Sequence, residues 1–82
     1  MSADGQDVRT ALEDIFRRVL RAPDLALTRD MITGAHLRWD SFANVEILLS
    51  CEERWGFEFG PSEIDSIRSF GDLHDAVVAR IG

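Results

Sequence analysis

The side chains that could do chemistry in this chain are few, and most can be dismissed by their spacing. Ser41 stands in "LRWDSFANVEILL" (37–49), directly after Asp40. Its hydroxyl could be a nucleophile only with a base beside it. His36 lies five residues upstream and His74 falls in a later element. There is no Gly-x-Ser-x-Gly turn and no third residue to orient a histidine, so both imidazoles read as surface residues. Cys51 is the single cysteine. It excludes an internal disulfide, and with two distant histidines it gives no structural zinc site. Glu52 and Glu53 are adjacent, point to different sides of a helix, and do not make a catalytic carboxylate pair. A Gly-rich phosphate loop is also missing. The chain therefore does not read as an enzyme. A serine that cannot activate itself can still be modified by another enzyme.

The elements that must position Ser41 follow from periodicity. Val8, Leu12, Ile15, Phe16, Val19 and Leu20 form a helical stripe, with Asp7 or Asp4 available as caps and Ala22-Pro23 as the end. Residues 23–40 then read as a long loop. Leu25, Leu27, Met31, Ile32, Leu37 and Trp39 are expected to pack that loop onto the helices. The second helix is expected from Ser41 to Trp55, capped by Asp40 and stopped by Gly56. "GFEFG" follows as an extended link too short to build a sheet. Pro61 opens a brief helix or turn, with Ile64 and Ile67 expected to face inward. A last helix starts near Ser69 and carries Phe70, Leu73, Val77 and Ile81. The expected fold is all-α: a single domain over 1–82 with three main helices, one short helix and a long first loop.

On the second helix, with Ser41 at zero and ~100° per residue, Ile47, Leu48, Cys51 and Trp55 share one arc, which is the expected core. Cys51 inside it reads as a buried, inert thiol. Asn44 lies on the same side and reads as an amide satisfied by the loop backbone. Phe42, Leu49, Glu46 and Glu53 fall on another arc that the core does not require. Apolar groups flanked by carboxylates look like a docking stripe for a partner with a basic rim.

Composition agrees. The 82 residues carry a net charge of −6, and all nine basic residues are arginine. Residues 1–39 hold six acids and six arginines, whereas residues 40–75 hold nine acids and two arginines. Such acidity repels nucleic acid and anionic membranes and favours basic protein partners. The apolar run "VEILLSC" is broken by Glu46 and is far short of a membrane span. The polar start "MSADGQDVRT" lacks the order of a signal peptide, so a soluble cytoplasmic protein is expected.

The stretch "WDSFANVEILLSCEERWGFEF" resembles the acyl carrier protein family. The family form is Asp-Ser-Leu, then Val-Glu-Leu, then a Glu-Glu pair, then an aromatic with Gly. The matching residues are Asp40-Ser41-Phe42, Val45-Glu46-Ile47, Glu52-Glu53 and Trp55-Gly56. The tail "IRSFGDLHDAV" is similar to the family's last helix. The resemblance implies that a phosphopantetheinyl transferase attaches 4′-phosphopantetheine from coenzyme A to Ser41, with Asp40 helping to position that enzyme and its metal. It implies a recognition stripe of Phe42, Glu46, Leu49 and Glu53 for the transferase, an acyl- or aminoacyl-loading enzyme and downstream synthases. It also implies a monomeric, non-catalytic carrier that binds no metal itself. Arg38 stands where family members often have Gly, Phe42 replaces Leu, and Trp55 replaces Phe. These departures fit a discrete carrier of specialised metabolism (polyketide, hybrid peptide or an amino-acid-derived starter). Asp-Ser-Phe is also similar to D-alanyl carriers of cell-wall modification. Peptidyl carriers, with Gly-Gly-x-Ser, are less close. The competing class is an unmodified acidic interaction module in which Ser41 is only a helix cap.

Overall fold

The computed structural model describes residues 5–32 and 39–81. Four helices follow in order: α1 (Gly5–Val19), α2 (Ser41–Trp55), α3 (Pro61–Ser66) and α4 (Phe70–Ile81). Among the described residues the only extended pairing is an isolated bridge between Ile32 and Ser69. The fold is therefore the small helical bundle that the periodicity predicts. Asp4 and Leu37, expected as a cap and a loop anchor, lie outside the described residues, as does His36.

The apolar stripe of α1 is the centre of the bundle. Val8, Leu12, Ile15 and Phe16 are buried, and α1 packs against both α2 and α4. Phe16 meets Trp39 edge-on at 4.8 Å and Phe70 at 5.3 Å. These T-shaped contacts join α1, the loop end and α4 through one ring. Ile47, Leu48 and Cys51 bury the core face of α2, and Trp55 packs partly against it. From α4, Phe70, Leu73 and Val77 are buried and Ile81 is partly so.

The helix ends show which local signals operate. Asp40 caps α2, and Gly56 ends it in the left-handed region at φ 71°. Ser69 caps α4, its hydroxyl oxygen accepting from Asp72 N–H at 3.0 Å. The α1 terminus differs from expectation. The helix stops at Val19, before Ala22-Pro23, because Arg21 adopts a left-handed φ of 53°. The N–H groups of Arg21 and Ala22 then turn back to the carbonyls of Arg18 and Arg17. That is a Schellman ending with arginine where glycine usually stands.

The loop after α1 is pinned. Leu27 and Trp39 are buried, Leu25 and Met31 pack partly against the core, and Arg9 and Arg17 donate to the carbonyls of Leu27 and Leu25. Ile32, expected to pack, is exposed instead, because its backbone sits in the bridge to Ser69. At its far side the loop meets α4. Phe70 N–H donates to Met31 O at 2.7 Å, and Arg29 pairs with Asp75 at 2.7 Å.

In α3, Ile67 is buried but Ile64, expected inward, is 42% exposed. Six residues make under two turns, so one inward anchor suffices and Ile64 rotates out. The helix is fastened by Glu63, which accepts from Gly60 N–H and from the Arg80 guanidinium of α4.

Candidate functional site

The site is built at the junction where the loop becomes α2. Three consecutive residues have different fates there. Trp39 turns inward and is buried, and its indole N–H donates to Asn44 Oδ1 at 3.0 Å. Asn44 is thus satisfied as expected, although by a side chain rather than by the loop backbone. Asp40 is the cap: extended at φ −96° and ψ −176°, it accepts from Ala43 N–H through Oδ1 at 2.8 Å and from Asn44 N–H through its carbonyl at 2.9 Å. Ser41 is the first helical residue and is exposed.

This arrangement separates two jobs that the sequence leaves mixed. The carboxylate of Asp40 does the capping, so the Ser41 hydroxyl is not needed for it. Among the described residues the Ser41 hydroxyl has no hydrogen-bond partner. The first amides of a helix have no intrahelical acceptor and point towards the N-terminal side, which suits a phosphate on a neighbouring oxygen. The residues present therefore fit a phosphate-linked group at Ser41.

Beside the junction, Phe42 is 75% exposed and Leu49 52% exposed, with Glu46 and Glu53 exposed as well. The structure brings these four onto one outer face of α2. It adds Val45, 56% exposed, which is not among the stripe residues expected from the sequence. Three large apolar side chains on one face, rimmed by carboxylates, form a patch of the kind used for docking.

The remaining chemistry-bearing residues stand apart. Cys51 is fully buried, and burial pushes its thiol pKa up to about 12. Its sulfur is a protonated core atom at neutral pH. His74, expected on the surface, is half-buried at 3.3 Å from Asp75 and far along the chain from Ser41. Glu52 accepts from Phe59 N–H at 2.7 Å while Glu53 is exposed, so the adjacent acids do diverge. Among the described residues there is no group of three or more metal-ligating side chains, and no helix is long and apolar enough to cross a membrane.

Along the edge of this face that turns towards α1, an open groove runs beside the C-terminal end of α1. Asp40 and Phe42, the two neighbours of Ser41, line its mouth, and Arg18, Glu46 and Ser50 line its length. Sequence periodicity does not reveal it, since it depends on how α1 and α2 lie together.

No protein-family model matches the chain, and no curated protein does either. Among solved structures, it is similar to the solution NMR structure of a holo acyl carrier protein from Geobacter metallireducens. The TM-score is 0.77 at 29% identity, covering 88% of this chain and 82% of that one. A helical bundle with this helix order, an Asp-Ser junction opening its second helix, and this likeness over most of both chains give the chain an acyl-carrier-like fold and support its resemblance to the acyl carrier protein family.

Proposed function

We propose that this protein carries acyl or aminoacyl intermediates as thioesters on a 4′-phosphopantetheine arm esterified to Ser41. The observation that carries the reading is the Ser41 hydroxyl itself. It is exposed at the first position of α2 and has no partner among the described residues, because Asp40 already caps the helix. A serine kept only as a cap would spend its oxygen on the N2 or N3 amide. The likeness to a protein described as a holo acyl carrier protein supports the same reading.

When attached, such an arm supplies a terminal thiol that accepts and releases the acyl group. The chain itself supplies display and recognition. The pinned loop and the Asp40 cap hold the hydroxyl at an accessible corner. The exposed Asp40 carboxylate beside it is available to help position the transferase and its metal. Phe42, Glu46, Leu49 and Glu53 are the docking face for the transferase, for a loading enzyme and for downstream synthases. Their carboxylates favour partners with basic rims and raise association rates. In this reading the carrier is monomeric, cytoplasmic and non-catalytic.

Phe42 in place of the usual leucine, and Arg38-Trp39 before the Asp, favour specialised metabolism over housekeeping fatty-acid synthesis. Polyketide or hybrid-peptide assembly is the reading we adopt. The test is the intact mass of the purified protein before and after incubation with coenzyme A and a broad-specificity phosphopantetheinyl transferase. One added phosphopantetheine is expected, mapped to Ser41 and absent from Ser41→Ala. No mass gain, beside a control carrier that is modified in the same tube, overturns the reading.

A further inference from the structure

The core face of α2 lies against large buried side chains. Trp39, Phe16, Phe70 and Cys51 are all buried, and Trp39 is fixed both by the edge of Phe16 and by its bond to Asn44. Open space lies instead between α1 and α2. The groove there begins at Asp40 and Phe42, on either side of Ser41, and continues past Glu46 to Ser50. A second hollow shares Arg18 and Ser50 with it and runs on to Arg54. Together they follow α2 from its cap to its last turn, about 20 Å at 1.5 Å per residue.

The lining alternates in kind. Val19, partly exposed, and the small Ala43 give apolar lining, with the buried Leu20 behind them. Glu46 and Ser50 offer acceptors, and Arg18 offers donors where the two hollows meet. Arg18 is exposed and donates to Ser50 Oγ at 3.5 Å, the outer limit of a hydrogen bond. Among the described residues it pairs with no carboxylate, so most of its five N–H donors remain available. Asp14 and Glu53 also line the second hollow, so its charge is balanced.

We propose that the α1–α2 groove is a track for the arm, which lies along it from Ser41 with a short polar cargo at its far end, outside the bundle. This rests on the carrier reading above. Pantetheine matches the lining because it alternates a geminal dimethyl unit with a hydroxyl and two amides. The dimethyl unit sits on Val19 and Ala43. Arg18 donates to an amide or thioester carbonyl, and Glu46 accepts from an amide N–H. A long alkyl chain gains little in a groove with so much polar lining.

The test compares amide and arginine side-chain NMR spectra of the apo protein with those of the mass-verified holo and acyl forms. Shifts are expected at Val19, Ala43, Glu46 and Ser50 and at the Arg18 side chain, with NOEs from the geminal methyls to Val19 and Ala43. Arg18→Gln should keep the mass gain and lose the shift at Ser50, while Arg68→Gln should lose neither. A decanoyl cargo should leave Phe16, Phe70 and Leu73 unmoved. Shifts confined to the immediate neighbours of Ser41, shifts at Val45, Leu49 and Ile64 instead, or movement of the core amides under decanoyl loading each overturn the proposal. A missing mass gain is a different failure: it overturns the carrier reading, and the track with it.

Discussion

The N–H of Gly71 donates to the carbonyl of Arg29 at 2.9 Å, and a Cβ on residue 71 would lie 2.9 Å from that same oxygen. One residue earlier, Phe70 N–H donates to Met31 O. Two of the N-terminal amides of α4 thus find their acceptors in the long loop rather than within the helix. This contact holds the middle of the loop, and the chain runs on from there to Trp39, Asp40 and Ser41.

Gly71→Ala should therefore act on stability. The new methyl meets backbone, which cannot swing aside, so a loss of about 1–3 kcal/mol is expected, as for other overpacked sites. Urea unfolding followed by circular dichroism measures it, with helicity in the absence of urea retained. An unchanged midpoint would mean that the loop shifts without cost and is not anchored at this contact.

Acid should expose the two ion pairs that tie the outer elements to α4. Asp75 is held below the usual carboxylate range, mainly by its bond from Arg29 and then by His74. Glu63 is lowered by Arg80 first and then by Gly60 N–H. A folded-state pKa below the unfolded value adds stability that is present above the unfolded value, about 4. That stability is lost as pH falls through the lowered folded value. The thermal midpoint of the parent should therefore fall faster below about pH 4 than that of the Asp75→Asn, Glu63→Gln double variant. Above that range the gap between them should be constant, and small because both pairs are exposed. Parallel curves throughout would show that neither pair contributes.

What the sequence discloses depends on how local the cause is. The bounds of α2 are readable because Asp40 and Gly56 signal them with their own residue types. The end of α1 is not, since the left-handed residue there is Arg21 and nothing in an arginine announces that backbone. Ile64 is misread because one short turn of helix has no stable face. The Ser41 junction and the stripe are legible from one helix alone. Val45 escapes assignment because it lies at the margin of that stripe. The tie from loop to α4 is hidden, since it uses backbone carbonyls that any residue would supply. The α1–α2 groove is hidden for a similar reason: it belongs to a pair of helices and to neither sequence segment by itself.

Cys51 should be silent towards thiol reagents in the folded protein. Burial, with a smaller contribution from Glu52, raises its pKa to about 12, so very little thiolate exists at pH 8 and none of it faces solvent. Alkylation by iodoacetamide, followed by mass, should be absent under native conditions and complete in denaturant. On the carrier reading, the thiol of the arm would then be the one thiol that reacts natively in the holo protein. Rapid native alkylation of Cys51 would mean that α2 opens from the core far more readily than its packing implies.

Phe42→Ala separates docking from folding. The ring is 75% exposed at the first turn of α2, and Asp40 rather than Phe42 supplies the cap. Its removal should change stability by no more than about 0.5 kcal/mol, as for other surface positions. On the carrier reading, the same ring is the apolar centre of the docking face, with Glu46 beside it as a rim. Truncating a central aromatic at an interface commonly costs about 1–2 kcal/mol or more. Modification of Ser41 by the transferase should then slow by about tenfold or more, mainly through KM. Glu53→Gln, on the rim, should have a weaker effect that fades with added salt. Equal rates for the parent and Phe42→Ala would remove Phe42 from the docking face and leave recognition to the acidic residues alone.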